Sequence, residues 1–296
     1  MIPALLAMVL FAGSAVSARK SVGHLGPAAA NFWRQLLSVA LLGILAVLLA
    51  GQSPMFGPAT AWFLWSGVVG YGVGDTGIFL ALPRLGSRLT SLMTQCLAAP
   101  IGALIEWLWL GHVPGWNQSL AGLVILGGVG LALAPARGEA AGLPGGWTGV
   151  FFGLVAALGQ AGGAVLSRHG FEMARGLGQP ADPMSVSFVR ALAGTVTAAL
   201  WYGLVLRTGS LPPLADGMGR GWTWMVGNAL AGPTLGVVAY QWALARHPIA
   251  EVLPVVAMAP LAVVPLAYWI EGERPSRRSV AGGVLAVLGV VWLARG

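Results

Sequence analysis

The second half of this chain restates its first at an offset of 160 residues, and each copy carries five hydrophobic stretches. Trp62 matches Trp222, Gly67 matches Gly227, Gly72 matches Gly232, Ala99-Pro100 matches Ala259-Pro260, Trp109 matches Trp269 and Ala121-Gly122 matches Ala281-Gly282. In so apolar a composition roughly half a dozen identities fall together by chance, so the Trp and Pro matches carry the weight of the repeat. An odd number of membrane-crossing stretches per copy turns the second copy upside down relative to the first.

Composition places these stretches in a bilayer. Hydrophobic residues make up 57% of the chain and charged residues 8%, with a mean hydropathy of +0.80. About a quarter of a soluble domain is charged. The expected fold class is therefore an all-α polytopic membrane protein, with ten transmembrane helices in two inverted five-helix repeats, residues 1–137 and 145–296. Spans are expected at 3–18, 29–50, 61–83, 89–110, 117–135, 147–168, 185–206, 222–245, 249–270 and 277–294. Each is close to the ~20 residues that cross the hydrocarbon layer as a helix. Met1 to Ala18 lacks the basic start of a signal peptide and reads as the first span. Trp62, Trp65, Trp107, Trp109, Trp116, Trp147, Trp222 and Trp224 fall near span ends, as an aromatic belt requires. The expected location is the cell (inner) membrane, multi-pass, with the lipid bilayer as partner.

The net charge of +7 comes from basic residues scattered singly or in pairs through short connections, without the basic stripe that nucleic acid requires. Eleven of them, Arg19, Lys20, Arg34, Arg84, Arg88, Arg137, Arg207, Arg220, Arg274, Arg277 and Arg278, lie at the connections after spans 1, 3, 5, 7 and 9. That bias points both termini outward. The single cysteine, Cys96, excludes a disulfide within the chain. Gly145, Gly149, Gly153, Ala157 and Ala161 recur every four residues along the sixth span. Such a flat face packs against another helix of the same chain or forms the seam of a homodimer.

Two spans are interrupted at matching positions. The third reads Gly70-Tyr71-Gly72-Val73-Gly74-Asp75-Thr76-Gly77, and its partner, the eighth, reads Ala231-Gly232-Pro233-Thr234-Leu235-Gly236. Glycine weakens both as helices, and Pro233 removes a backbone donor. Paired interruptions of this kind mark a transport site, because the freed backbone groups must be satisfied by protein, water or substrate. Otherwise the glycines serve close helix crossing. Asp75 is a carboxylate at membrane depth and so a candidate proton or cation site, with Tyr71 one turn before it; alternatively Asp75 pairs with an arginine and never titrates. Because Asp75 aligns with Leu235, any charge chemistry at this depth is expected to belong to the first half alone.

Gln95, Gln160, Asn228, Tyr240 and Gln241 are polar positions deeper in spans that either bind substrate or bridge helices. Arg34, in Asn31-Phe32-Trp33-Arg34, and Arg190, in Ser187-Phe188-Val189-Arg190, occupy matching places near the starts of spans 2 and 7. Each either faces an anionic substrate or snorkels to the headgroups. Glu106 and Glu251 read as surface and helix-start charges. His24, His112, His169 and His247 stand alone, and no HExxH, GxSxG elbow or phosphate loop occurs, so neither a catalytic residue, a metal site nor a cofactor is expected.

The run Gly74-Asp75-Thr76 through Ala81-Leu82, then Gly86-Ser87 and Ala99-Pro100, leads into a second set: Ala243-Leu244, Pro254, Pro260-Leu261, Pro265, Glu273-Arg274-Pro275-Ser276, Ala281-Gly282 and Gly289. Together these resemble the EamA-like branch of the drug/metabolite transporter superfamily. The resemblance covers both halves and implies a central cavity lined by spans 1–4 and 6–9, with spans 5 and 10 peripheral. It implies a secondary active exporter of small metabolites, such as amino acids or drugs, working by alternating access and driven by an ion gradient or by exchange, with Asp75 the candidate for proton coupling. It also implies cytoplasmic termini, against the charge bias. The family's Gly-Glu after span 9 is present as Gly272-Glu273, but the matching place after span 4 is Gly111-His112, an acid lost. A lipid flippase and a non-transporting membrane accessory protein are the rival readings.

Overall fold

The computed structural model describes residues 2–47, 57–110, 115–133, 145–178, 181–209, 218–246, 255–293 and 295. These residues are helical almost throughout. α1 is Ile2–Leu25, α2 Pro27–Leu45, α5 Trp116–Leu133, α6 Gly146–Gly176, α7 Pro183–Arg207 and α10 Arg277–Leu293. α3 (58–85) and α4 (87–110) run on from each other but are bent at Gly86, whose φ of 76° and ψ of 172° only glycine adopts without strain. α8 covers 218–246, and α9 covers 259–271. Six continuous helices among the described residues are long and apolar enough to cross a membrane, the joined α3–α4 counting as one of them. The chain is an all-α polytopic membrane protein.

Local chemistry explains the starts and the breaks. α2, α3 and α7 open on Pro27, Pro58 and Pro183, whose fixed φ suits a first helical position and whose missing N–H is not needed there. Asp182 caps α7 by accepting from the Ser185 backbone N–H at 2.9 Å. In α3 the glycine-rich stretch widens into a π-helical turn over Val68–Gly74, and α8 does the same over Leu230–Thr234 around Pro233. Both interruptions expected from the sequence are thus wide turns. A third wide turn, Ala267–Glu271, ends α9.

Small residues set the packing. Gly128, Gly282 and Gly289 bring the α5 and α10 backbones together, with Ile125 beside Gly289 and Ala132 beside Gly282, so the two helices run antiparallel. α2 and α7 are antiparallel as well, because Gly43 near the end of α2 meets Phe188 near the start of α7, while Phe32 stacks on Tyr202 at 5.2 Å. The contacts between the halves come in matching sets: α1 packs on α8 and α9, and α6 packs on α3 and α4. The small-residue face of α6 is occupied within the chain, with Gly145 and Gly149 against Arg84 and Leu85 and Gly153 against Met93. Large apolar side chains such as Ile2, Leu108, Leu200 and Trp269 point outward, as a lipid-facing surface requires.

Candidate functional site

Polar side chains are collected in the interior. Asn31, Arg34, Gln35 and Ser38 follow i, i+3, i+4, i+7 spacing, so they share one face of α2, and all four are buried. That face meets the wide turn of α3. Arg34 donates to Asp75 in a close ion pair, Gln35 Nε2 donates to the same carboxylate oxygen at 2.7 Å, and Gln160 Nε2 from α6 reaches the other oxygen at 3.4 Å. Arg34 also donates to Asn31 Oδ1 at 3.0 Å and lies 4.8 Å above the centre of the Phe79 ring. Asp75 itself is 3% exposed.

The second half closes the site from the other side. Asn228 Nδ2 donates to the Ser14 backbone carbonyl at 2.7 Å and to Ser14 Oγ at 3.0 Å, tying α8 to α1. A side chain at Gly232 would collide with Ser14 Oγ and come within 3.9 Å of Arg34 Nη1, so the wide turn of α8 lies close to Arg34. Pro233 and Thr234 are buried in the same turn. Gly72 on α3 is held against Thr197 of α7 in the corresponding way. Arg190 stands seven residues beyond Pro183, as Arg34 stands seven beyond Pro27, about 10 Å into its helix at 1.5 Å per residue. Its guanidinium lies 5.2 Å above the Tyr71 ring and against the wide turn of α3 at Gly70.

Arg34 therefore does not snorkel; it is 6% exposed and engaged with Asp75. The arginine pairing raised for Asp75 is what the structure contains. Charge at this depth is not confined to the first half, because Arg190 brings a second cation to the same place. Gln95, half-buried on α4, is not hydrogen-bonded into this cluster. Tyr240 packs edge-on against Phe11. The Gln241 and Glu106 side chains lie outside the described residues, as do Glu251, His112 and His247. Gln35, Ser38, Ser14 and Thr234 are site residues that the sequence reading passed over. The polar face of α2, an inverted stripe inside an apolar span, was the signal for the first two.

Among the described residues, seven buried polar atoms around this cluster have no hydrogen-bond partner: Asn31 Nδ2, Arg34 Nε, Gln35 Oε1, Tyr71 Oη, Arg190 Nε, Asn228 Oδ1 and Thr234 Oγ1. Buried polar groups are normally paired, so a concentration of orphans marks a place where water or a ligand belongs. A cavity of about 630 Å³ opens at one end of the bundle, lined by Arg19, Lys20, Arg84, Arg88, Glu271 and Glu273 among others. There Arg88 binds Glu273 at 2.7 Å and Ser279 at 2.6 Å, joining the start of α4 to the segment before α10. A smaller cavity of about 280 Å³ lies beside the wide turn of α3, between Gly72, Thr76, Phe152 and Thr197. Asp75 lines neither. Among the described residues no three His, Cys, Asp or Glu side chains gather as a metal site would require.

The EamA-like transporter family matches this chain twice, over residues 1–134 and again over 147–295. The chain belongs to that family. As an EamA-like protein it falls within the drug/metabolite transporter superfamily, a class of membrane transporters rather than enzymes. An uncharacterized protein of Pseudomonas aeruginosa is 38% identical over 119 residues, a match spanning 40% of this chain and 39% of that relative's length. A crystal structure superposes on this EamA-like chain with a TM-score of 0.67 at 22% identity, covering 99% of this chain and 96% of the other. At that identity the likeness concerns the fold.

Proposed function

We propose that this protein is a secondary active transporter that exports a small metabolite across the inner cell membrane by alternating access. Its two halves are taken as inverted copies, residues 1–137 and 145–296. The antiparallel courses of α2 with α7 and of α5 with α10, which are equivalent helices in such copies, support that reading. The observation that carries the function is the pair of wide turns at matching positions, Val68–Gly74 and Leu230–Thr234, which face the buried cluster of Asp75, Arg34 and Gln160. Wide turns leave backbone groups free for a ligand and let a helix change its course without unfolding. The enclosed position of Asp75 fits an occluded state, between openings to either side. A lipid flippase would need a polar cleft open to the bilayer, and the small cavity beside Gly72 stops short of Asp75.

The test is transport by the purified protein in proteoliposomes loaded with a cell metabolite extract, followed by mass spectrometry with and without a proton gradient. Asp75→Asn is expected to change the dependence on that gradient. Transport by the variant that matches wild type at every pH would remove Asp75 from the coupling.

A further inference from the structure

The charges of the buried cluster do not balance. Asp75 is committed: one carboxylate oxygen accepts from Arg34 and Gln35, the other from Gln160. Arg190, half-buried beside it, has no such partner among the described residues. Among the described residues no Asp or Glu lies within ion-pair distance of it, its Nε is enclosed without a hydrogen bond, and its one ring contact is the face of Tyr71. Its guanidinium is pressed against the α3 wide turn, since a side chain at Gly70 would come within 3.4 Å of Arg190 Nη2. An arginine two turns into a membrane helix is costly unless something negative meets it, and its planar fork of donors matches a carboxylate. The Tyr71 hydroxyl, also unpaired, is on the same wide turn.

We propose that Arg190 is the counter-ion of the substrate and that the site takes an organic monoanion, a carboxylate-bearing solute without a compensating ammonium group. The proposal rests on the transport reading above and narrows it. Two arginines against one aspartate leave the cluster one positive charge in excess, which a single carboxylate neutralises. A zwitterion such as a free amino acid would bring an ammonium group as well, and the one negative charge of Asp75 is already paired with Arg34. The wide turn over Val68–Gly74 runs beside Arg190 and carries the Tyr71 hydroxyl, which would face the rest of the anion.

The experiment is thermal unfolding of the full-length protein in detergent, at fixed ionic strength, with sodium acetate, butyrate and phenylacetate as monoanions. Leucine serves as the zwitterion, phenylacetamide as the neutral isostere, and chloride and phosphate as inorganic anions. At least one organic monoanion is expected to raise the unfolding temperature while phenylacetamide and leucine do not. Arg190→Gln should weaken that binding at least ~tenfold, the loss of one charge-assisted contact. Arg190→Lys, which keeps the charge and loses the fork, should fall between and serves where Arg190→Gln does not fold. The proposal is overturned if no organic monoanion stabilises, if leucine stabilises equally, if only inorganic anions act, or if stabilisation survives in Arg190→Gln. Uptake of labelled phenylacetate into proteoliposomes separates the two readings. Anion binding without any transport refutes the transporter and keeps this site, whereas transport restricted to cationic or neutral solutes refutes this site and keeps the transporter.

Discussion

The Arg34–Asp75 pair lends itself to a double-mutant cycle. The two side chains are 8% and 5% exposed, so neither can reach water when its partner is removed. Taking away one member of such a pair leaves an uncompensated buried charge, a loss of about 3–5 kcal/mol. The neighbours cannot replace it: Gln35 and Gln160 give Asp75 hydrogen bonds worth about 1.5–3 kcal/mol each, but both are already made with Arg34 present and bring no compensating charge. At about 2–4 °C per kcal/mol for a chain of this order of length, Arg34→Gln and Asp75→Asn should each lower the unfolding temperature by roughly 6–20 °C. Replacing both members by neutral groups removes the charge and its need together, so the double variant should unfold near wild type. The assay is thermal unfolding of the three variants in one detergent, monitored by intrinsic tryptophan fluorescence. If the double variant loses as much as the two single variants combined, the residues are not coupled and the buried pair is refuted.

Two further outcomes follow from the packing. A side chain at Gly159 of α6 would strike the backbone of Gly74 and stand 2.9 Å from the Val69 carbonyl, so Gly159→Ala must push α3 and α6 apart at the wide turn. A loss of about 1–3 kcal/mol is expected, with Gly127→Ala, which meets nothing, unchanged; equal unfolding temperatures for the two variants would contradict the close crossing. At the bundle end, Arg88 and Glu273 have side chains 10% and 23% exposed and share a 2.7 Å ion pair, so Arg88→Gln and Glu273→Gln should each destabilise by about 1–3 kcal/mol. Their effects should be strongly sub-additive in the double variant, and simple additivity measured by the same unfolding assay would dissolve the link between α4 and the α10 end.

The fold was legible because the bilayer leaves few options: a chain so poor in charge must satisfy its backbone within helices. Tryptophans and prolines then mark the span ends. The interruptions at Gly72 and Gly232 were legible too, because glycine and proline act on the backbone locally. The electrostatics of the site were not. Asp75, Arg34 and Arg190 are 41 and 115 residues apart in sequence, and only packing reveals which cation the carboxylate takes. An arginine near a span start most often reaches the headgroups, and that prior fails for Arg34. The missed signal was the company it keeps: Asn31, Gln35 and Ser38 on the same helical face turn a lone cation into a polar stripe that must point inward.

With the halves taken as the inverted copies proposed above, the repeat accounts for charges that fail to cancel. Arg34 and Arg190 hold equivalent places, each seven residues after the proline that opens its helix, on helices that cross antiparallel. Each faces the wide turn of α3 or its surroundings, so the two halves contribute one cation apiece. The acid has no such counterpart, because Leu235 stands where a second Asp75 would be, and Leu235 is 47% exposed rather than aimed inward. On the proposed assignment one arginine is neutralised within the protein and, among the described residues, the other has no acid of its own. Asp75 thus has two consequences at once: it fixes Arg34, and by having no twin it frees Arg190.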